Sequence, residues 1–207
     1  MSNKPFIFLG KEIPEGKRTV LDLKVAKLHT RTTVNVPIII ERSNSPGPVV
    51  LLLAGIHGDE TNGVGIIREI INLKLNIPKN GTIICIPVFN IFGYLIQTRE
   101  FPDGRDLNRM FPGTINGSLA SQFAYQFTKE IAPLVDYVID FHTGGGERDN
   151  IAQIRCSEDD DKALELAKVF NPPMIVFSNN ISKSLRDTLY KMGKTVLLFE
   201  GGKSKEL

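Results

Sequence analysis

The chain predicts an α/β fold with a mixed, largely parallel central sheet and a short β-rich segment before it. Three observations carry this. After Pro48, short apolar runs alternate with segments of helical periodicity, the pattern of strands and helices layered on one sheet. Those runs are near-continuously apolar, as strands covered on both faces are. Before Asn44 the texture differs: β-branched residues alternate with polar ones, as in half-buried paired strands.

Taken in order, residues 16–42 contain Thr19-Val-Leu-Asp-Leu-Lys-Val and Thr33-Val-Asn-Val-Pro-Ile-Ile-Ile, two alternating strands. Asn44-Ser-Pro-Gly-Pro48 then breaks the pattern with turn chemistry. An apolar strand over 49–54 is followed by a helix over 60–73, whose Ile66-Ile67-x-x-Ile70-Ile71 spacing builds one apolar face. Further strands are expected over 82–88, 137–141, 174–177 and 195–199, and helices over 119–131, 161–169 and 182–192. Residues 89–117 are poorly periodic and rich in Gly, Pro, Arg and Asn. A loop of that length inside a compact domain is usually functional. The expected division is a β-rich segment, 1–47, and a catalytic domain, 48–207.

At 207 residues, 42% hydrophobic and 23% charged, the chain can hold one sizeable core. A net charge of +2 creates no general attraction to nucleic acid or membrane, and no basic stripe carries interleaved aromatics. The acidic run Glu158-Asp159-Asp160-Asp161 suits a solvated helix start. Cys85 and Cys156 are the two cysteines, too few and too far apart for a disulfide framework or a thiolate metal site. No apolar signal segment follows Met1, and no run reaches membrane-span length. The expectation is a cytoplasmic protein.

Chemistry concentrates at three expected strand ends. The first leads to His57 and Glu60, the second to His142 before three glycines, and the third to Glu200 before two. Ligands bind beyond the carboxyl ends of strands in such sheets. A single histidine in such a place is more often a hydrogen-bonded structural residue. Of the three histidines, however, two fall at strand ends beside glycines, whereas His29 lies in the alternating N-terminal part between Lys27 and Arg31. His57, Glu60 and His142 would make a two-imidazole, one-carboxylate set, known for catalytic zinc with an open position for water. Glu200 is the free carboxylate that could take the water's proton and pass it to a leaving amine. The loop supplies Arg99, Arg105 and Arg109, whose guanidinium forks match carboxylates or a developing oxyanion. Arg–Asp pairs that pin the loop are the plainer use of these residues, and both uses are expected.

Four motifs in this order resemble the succinylglutamate desuccinylase/aspartoacylase family of zinc carboxypeptidase-like enzymes. They are Gly55-x-His57-Gly-x-Glu60, Asp106-Leu-Asn108-Arg109, Asp140-x-His142-Thr-Gly and Glu200-Gly-Gly. The stretch Pro-Asp-Gly-Arg105-Asp106-Leu-Asn108-Arg109-x-Phe-Pro-Gly is most similar to the family's bacterial deacylases. The resemblance implies a three-layer zinc-carboxypeptidase-like fold. It also implies one zinc ion per chain on His57, Glu60 and His142, and Asn108 and Arg109 on the α-carboxylate of an N-acyl amino acid. Arg99 would polarise the scissile carbonyl, with Arg105 near enough in sequence to compete for that role or for substrate. Asp106 would hydrogen-bond a zinc-bound histidine, His57 by expectation, and Glu200 would be the general acid/base.

The implied reaction is hydrolysis of an N-acyl amino acid by zinc-bound water. Carboxypeptidase action on short peptides and non-catalytic metal binding are the rival readings. Members of the family usually continue well beyond the catalytic glutamate, whereas this chain ends seven residues after it, at Leu207. The resemblance therefore implies an incomplete pocket wall, and an open edge that could favour a homo-oligomer.

Overall fold

The structure, a computed structural model, describes residues 5–146 and 148–205. Two short strands, β1 (Ile7–Phe8) and β2 (Lys11–Glu12), pair antiparallel. The other strands are β3 (Lys17–Lys27), β4 (Thr33–Arg42), β5 (Val49–Ala54), β6 (Thr82–Ile86), β7 (Tyr137–Gly144), β8 (Asn150–Cys156), β9 (Met174–Phe177) and β10 (Thr195–Lys203). They form one eight-stranded sheet in the order β3-β4-β6-β5-β7-β10-β8-β9. The helices are α1 (Asn62–Asn72), α2 (Ile91–Ile96), α3 (Leu119–Glu130), α4 (Asp161–Phe170) and α5 (Leu185–Lys191).

The sheet is mixed around a parallel centre. β6, β5, β7 and β10 run parallel, while β3–β4, β4–β6 and β10–β8 pair antiparallel. The two long strands of the β-rich segment, β3 and β4, thus join the same sheet, with β4 pairing β6 from Ile39–Cys85 to Arg42–Thr82.

Both faces of the central strands are covered, which is why those strands read as continuous apolar runs. Successive side chains alternate between faces. Leu51 and Leu53 of β5 join Ile84 and Ile86 of β6 in the larger core, which takes in Phe123 and Phe127 of α3 and Leu189 of α5. Leu52 and Ala54 join Cys85 and Phe141 on the other face, under Val64 and Ile67 of α1. A third cluster packs Ala163 and Ala167 of α4 on Ile154 and Leu197.

The topology makes a crevice where the chemistry is needed. From β5 the chain crosses to β6 on one side, and β7 lies on the other side of β5. Connections therefore leave the carboxyl ends of β5 and β7 in opposite directions, the switch point at which open α/β sheets bind ligands.

Several boundaries differ from the sequence reading. α1 starts at Asn62, after Glu60. Glu60 sits instead in a turn, its N–H donating to the His57 carbonyl at 3.3 Å. β7 and β10 continue past their apolar runs, so His142 and Glu200 lie within strands and are register partners. β8 was not expected: Asn150, Gln153 and Arg155 interrupt its apolar residues, and antiparallel pairing with β10 supplies what local pattern does not. Residues 89–117 are not wholly irregular, since they contain α2 and a 3₁₀ turn, Leu107–Arg109.

Gly63 is where α1 meets β7. A Cβ there would lie 2.7 Å from the Phe141 Cβ and 2.9 Å from its carbonyl oxygen. Gly63→Ala should cost about 1–3 kcal/mol by overpacking, read as a lower denaturation midpoint. An unchanged midpoint would show that the α1–β7 contact is looser than described.

Candidate metal centre

The turn after β5 places the first two groups. Gly55 adopts φ +64° as the chain leaves the sheet, a conformation glycine takes at little cost. Gly58 then passes so close to α2 that a Cβ would sit 1.9 Å from the Gly93 carbonyl carbon. His57 and Glu60 emerge from this turn, each 3% exposed. β7 brings His142, 4% exposed, from the neighbouring strand.

The three side chains converge. His57 Nδ1 lies 2.7 Å from Glu60 Oε1, and His142 Nδ1 lies 2.9 Å from Glu60 Oε2. One candidate ligand atom from each falls within 4.8 Å of the others. The opposite ring nitrogens face carboxylates: His57 Nε2 is 3.2 Å from Asp106 Oδ1, and His142 Nε2 is 2.9 Å from Asp140 Oδ2.

That arrangement tests the fit of a metal directly. If each Nε2–H donates to its aspartate, each Nδ1 lone pair points at the Glu60 carboxylate. Lone pairs facing lone pairs at such distances require a cation between them, either a proton on each ring or a shared metal. Two imidazole nitrogens and a carboxylate are a donor set for a divalent ion, and carboxylates behind the histidines fix their tautomers. The residues present fit a metal ion.

Charge follows the same logic. Burial alone would raise the Glu60 pKa, but His142 and His57 outweigh it and hold the carboxyl well below the usual range. Burial would lower His142, and Asp140 with Glu60 instead raises it well above an ordinary imidazole. Asp106 is likewise held low against its burial, by His57 and Arg99.

The loop after β6 is ordered by amides. Buried Asn90 caps α2 by accepting the Gly93 N–H at 2.9 Å, and its Nδ2 donates to the Arg99 and Glu100 carbonyls. This pins Arg99 beside the centre. Its Nη1 donates to Glu60 Oε1 at 3.3 Å, while Nε and Nη2 donate to Asp106 Oδ2 at 3.1 and 2.9 Å. Asp106 Oδ1 also accepts the Asn108 N–H, and Asn108 Oδ1 accepts the Leu185 N–H at 2.8 Å, tying the loop to α5.

His57, Glu60, His142, Arg99, Asn108, Arg109 and Glu200 all line one cavity of about 740 Å³. Arg105 does not reach it: the side chain turns back to the Asp103 carbonyl in an exposed position. Glu200 stands across from the histidines, with Asn150 Nδ2 donating to its Oε2 at 2.8 Å. Burial raises the Glu200 pKa above the ordinary carboxyl value and Glu60 adds to the rise, against opposing pulls from His142, Arg155 and the Asn150 hydrogen bond.

Sequence reading gave no role to Asp140, Asn150, Arg155 or Arg186. Asp140 was legible, since two residues before His142 on one strand puts both side chains on one face. Arg186 was not. Its Nη2 donates to the Ser178 and Asn179 carbonyls and to Ser178 Oγ, and its buried Nη1 makes no hydrogen bond among the described residues. Only the docking of α5 brings it to the cavity.

No helix among the described residues is long and apolar enough to cross a membrane. A sequence model of the succinylglutamate desuccinylase/aspartoacylase catalytic domain matches residues 46–207. The N-alpha-acetyl-L-2,4-diaminobutyric acid deacetylase of Halomonas elongata is 32% identical over 177 residues, 82% of this chain and 52% of that protein. The chain thus spans about half the length of that relative. Among solved structures, a succinylglutamate desuccinylase/aspartoacylase from Rhodobacter sphaeroides aligns over 91% of this chain and 59% of its own, at 28% identity and TM-score 0.80. The product-bound ectoine utilization protein EutE (DoeB) from Ruegeria pomeroyi aligns over 96% and 62%, at 27% identity and TM-score 0.80.

If Asp140 orients His142, Asp140→Asn should weaken metal binding by about 10–100-fold, measured by competition with a chromophoric chelator. Unchanged affinity would remove Asp140 from the centre.

Proposed function

The chain belongs to the succinylglutamate desuccinylase/aspartoacylase family, and from that premise we propose that it hydrolyses the amide bond of an N-acyl amino acid using one zinc ion. The observation that carries this reading is the convergence of both histidine Nδ1 atoms on the two oxygens of buried Glu60, at a cavity that also holds Glu200. His57, Glu60 and His142 would hold the ion. When bound, it supplies Lewis acidity toward a water and toward the amide carbonyl.

The remaining work belongs to the side chains. Arg109 and the Asn108 amide take the substrate's α-carboxylate; Arg109 Nη1 is braced by the Asn108 carbonyl at 2.7 Å. A guanidinium matches a carboxylate's two oxygens, and Arg186 adds positive charge to the same wall. Arg99, held rigid by Asp106, donates to the carbonyl oxygen as negative charge grows there. Its orientation is set before substrate arrives, so little reorganisation is needed. Glu200 accepts a proton from the attacking water and delivers it to the amine nitrogen as the C–N bond breaks. A carboxyl with a raised pKa suits both halves of that exchange near neutral pH. The products are a carboxylic acid and a free amino acid. The relative from Halomonas is named for deacetylation of such a compound, which supports the substrate class.

Glu200→Gln should abolish turnover of N-acetyl and N-succinyl amino acids and leave about one metal ion per chain, by steady-state assay and metal analysis. Normal turnover in that variant would reject the mechanism. Chelation should abolish activity and zinc restore it. Hydrolysis of short peptides in preference to N-acyl amino acids would favour a carboxypeptidase instead.

The same substitution has a stability consequence. Because the folded pKa of Glu200 is raised, its contribution is fully present below the unfolded carboxyl pKa and lost as pH rises through the folded value. Ionised Glu200 therefore costs stability at pH 7 in the metal-free chain, and metal-free Glu200→Gln should melt at or above the metal-free wild-type temperature there. A clear loss of Tm would contradict the raised pKa.

A further inference from the structure

Strand β8 has no role in the reaction as described, yet it approaches Glu200 from the side opposite the histidines. β7 and β8 flank β10, with His142 and Gln153 both in register with Glu200. The β10–β8 register shifts between Glu200 and Gly202, and Gly202 then pairs with Asn150. Gly202 takes φ +75° at this irregularity. The shift brings Asn150 level with the end of the Glu200 side chain instead of its backbone.

The two carboxylate oxygens are treated unequally. Asn150 Nδ2 donates to Oε2 at 2.8 Å. An ionised carboxylate can only accept, so the asparagine must present its NH₂. Oε1 makes no hydrogen bond among the described residues; Arg155 Nη1 stands 3.8 Å away, beyond hydrogen-bonding range. Asn150 and Arg155 both line the cavity. One oxygen is tethered from β8 by a hydrogen bond, and the other keeps only the longer ion pair with Arg155.

We propose that Asn150 is a positioning residue, which holds Glu200 by Oε2 so that Oε1 is the oxygen that takes up and returns the proton. The proposal rests on the reading of Glu200 as general acid/base. Proton transfer needs an approach within hydrogen-bond distance, and a carboxylate on a flexible side chain loses much of its effect when displaced by about 1 Å. A tether on one oxygen restricts rotation of the carboxylate without consuming the reactive oxygen. Asn150 touches neither substrate nor metal in this scheme, so its loss should act on turnover and not on affinity.

The test uses Asn150→Ala, Asn150→Asp and Glu200→Gln in the full chain. Asn150→Asp keeps the shape but replaces the donor with a second carboxylate. Both Asn150 variants should lower kcat by about 100-fold, with KM within about twofold and metal content unchanged. A fall in affinity with kcat intact would overturn the proposal. So would wild-type kinetics in the Asn150 variants beside an inactive Glu200→Gln, and in that case the acid/base reading stands. Full turnover in Glu200→Gln would remove both. A crystal structure of Asn150→Ala gives a readout independent of activity. Glu200 should leave its single orientation, and a carboxylate found unmoved would overturn the proposal even if the wild-type chain turned over nothing.

Discussion

Everything at the cavity depends on one buried carboxylate. Glu60 joins the turn after β5 to the end of β7, because its two oxygens face imidazoles from those two elements. It also accepts the Thr143 N–H at 3.2 Å and an Arg99 N–H from the long loop. A carboxylate 3% exposed is costly to ionise unless it is paired and hydrogen-bonded. Removing any one partner would leave part of that charge uncompensated, which is more damaging than the loss of one contact. The cluster is accordingly a structural joint as well as a candidate metal centre.

Behind the joint lies a second ring of acids. Asp106 and Asp140 take the outer nitrogens of the two histidines, and Asp106 also takes the Arg99 fork. The centre thus alternates basic and acidic groups: Arg99, Asp106, His57, Glu60, His142, Asp140. Each group has partners that set its charge and direction, so the geometry exists before any substrate enters. Preorganisation of this kind is what lets donors act on developing charge without rearranging. Arg109 and Arg186 give one side of the cavity its positive charge.

Much of this was legible in the chain because it is local. His57 and Glu60 share a turn that Gly55 and the apolar run before it announce. His142 and Glu200 follow apolar runs that could only be central strands. The loop arginines divide in space: Arg99 pairs with Asp106 and lines the cavity, whereas Arg105 is close in sequence but exposed and turned to the Asp103 carbonyl. Sequence distance could not separate those two, because three or four residues of irregular backbone can reverse a side chain's direction. β8 escaped notice for a related reason. Its Asn150, Gln153 and Arg155 weaken the apolar signal, and Asn150 and Arg155 line a polar cavity, not a core.

The amino-acid sequence by itself determined the α/β class, the succession of the main strands along the chain, and the identity of the groups able to bind a metal, because hydrophobic periodicity and turn chemistry act over a few residues. Tertiary structure alone decided how those groups meet. Strand order brings β7 beside β5, so that His142, 82 residues from Glu60, reaches its second oxygen. The irregular pairing of β10 with β8 sets Asn150 on Glu200, and the seat of α5 brings Arg186 to the cavity wall. These are long-range pairings, fixed by packing and hydrogen bonding between distant segments, and no local pattern encodes them.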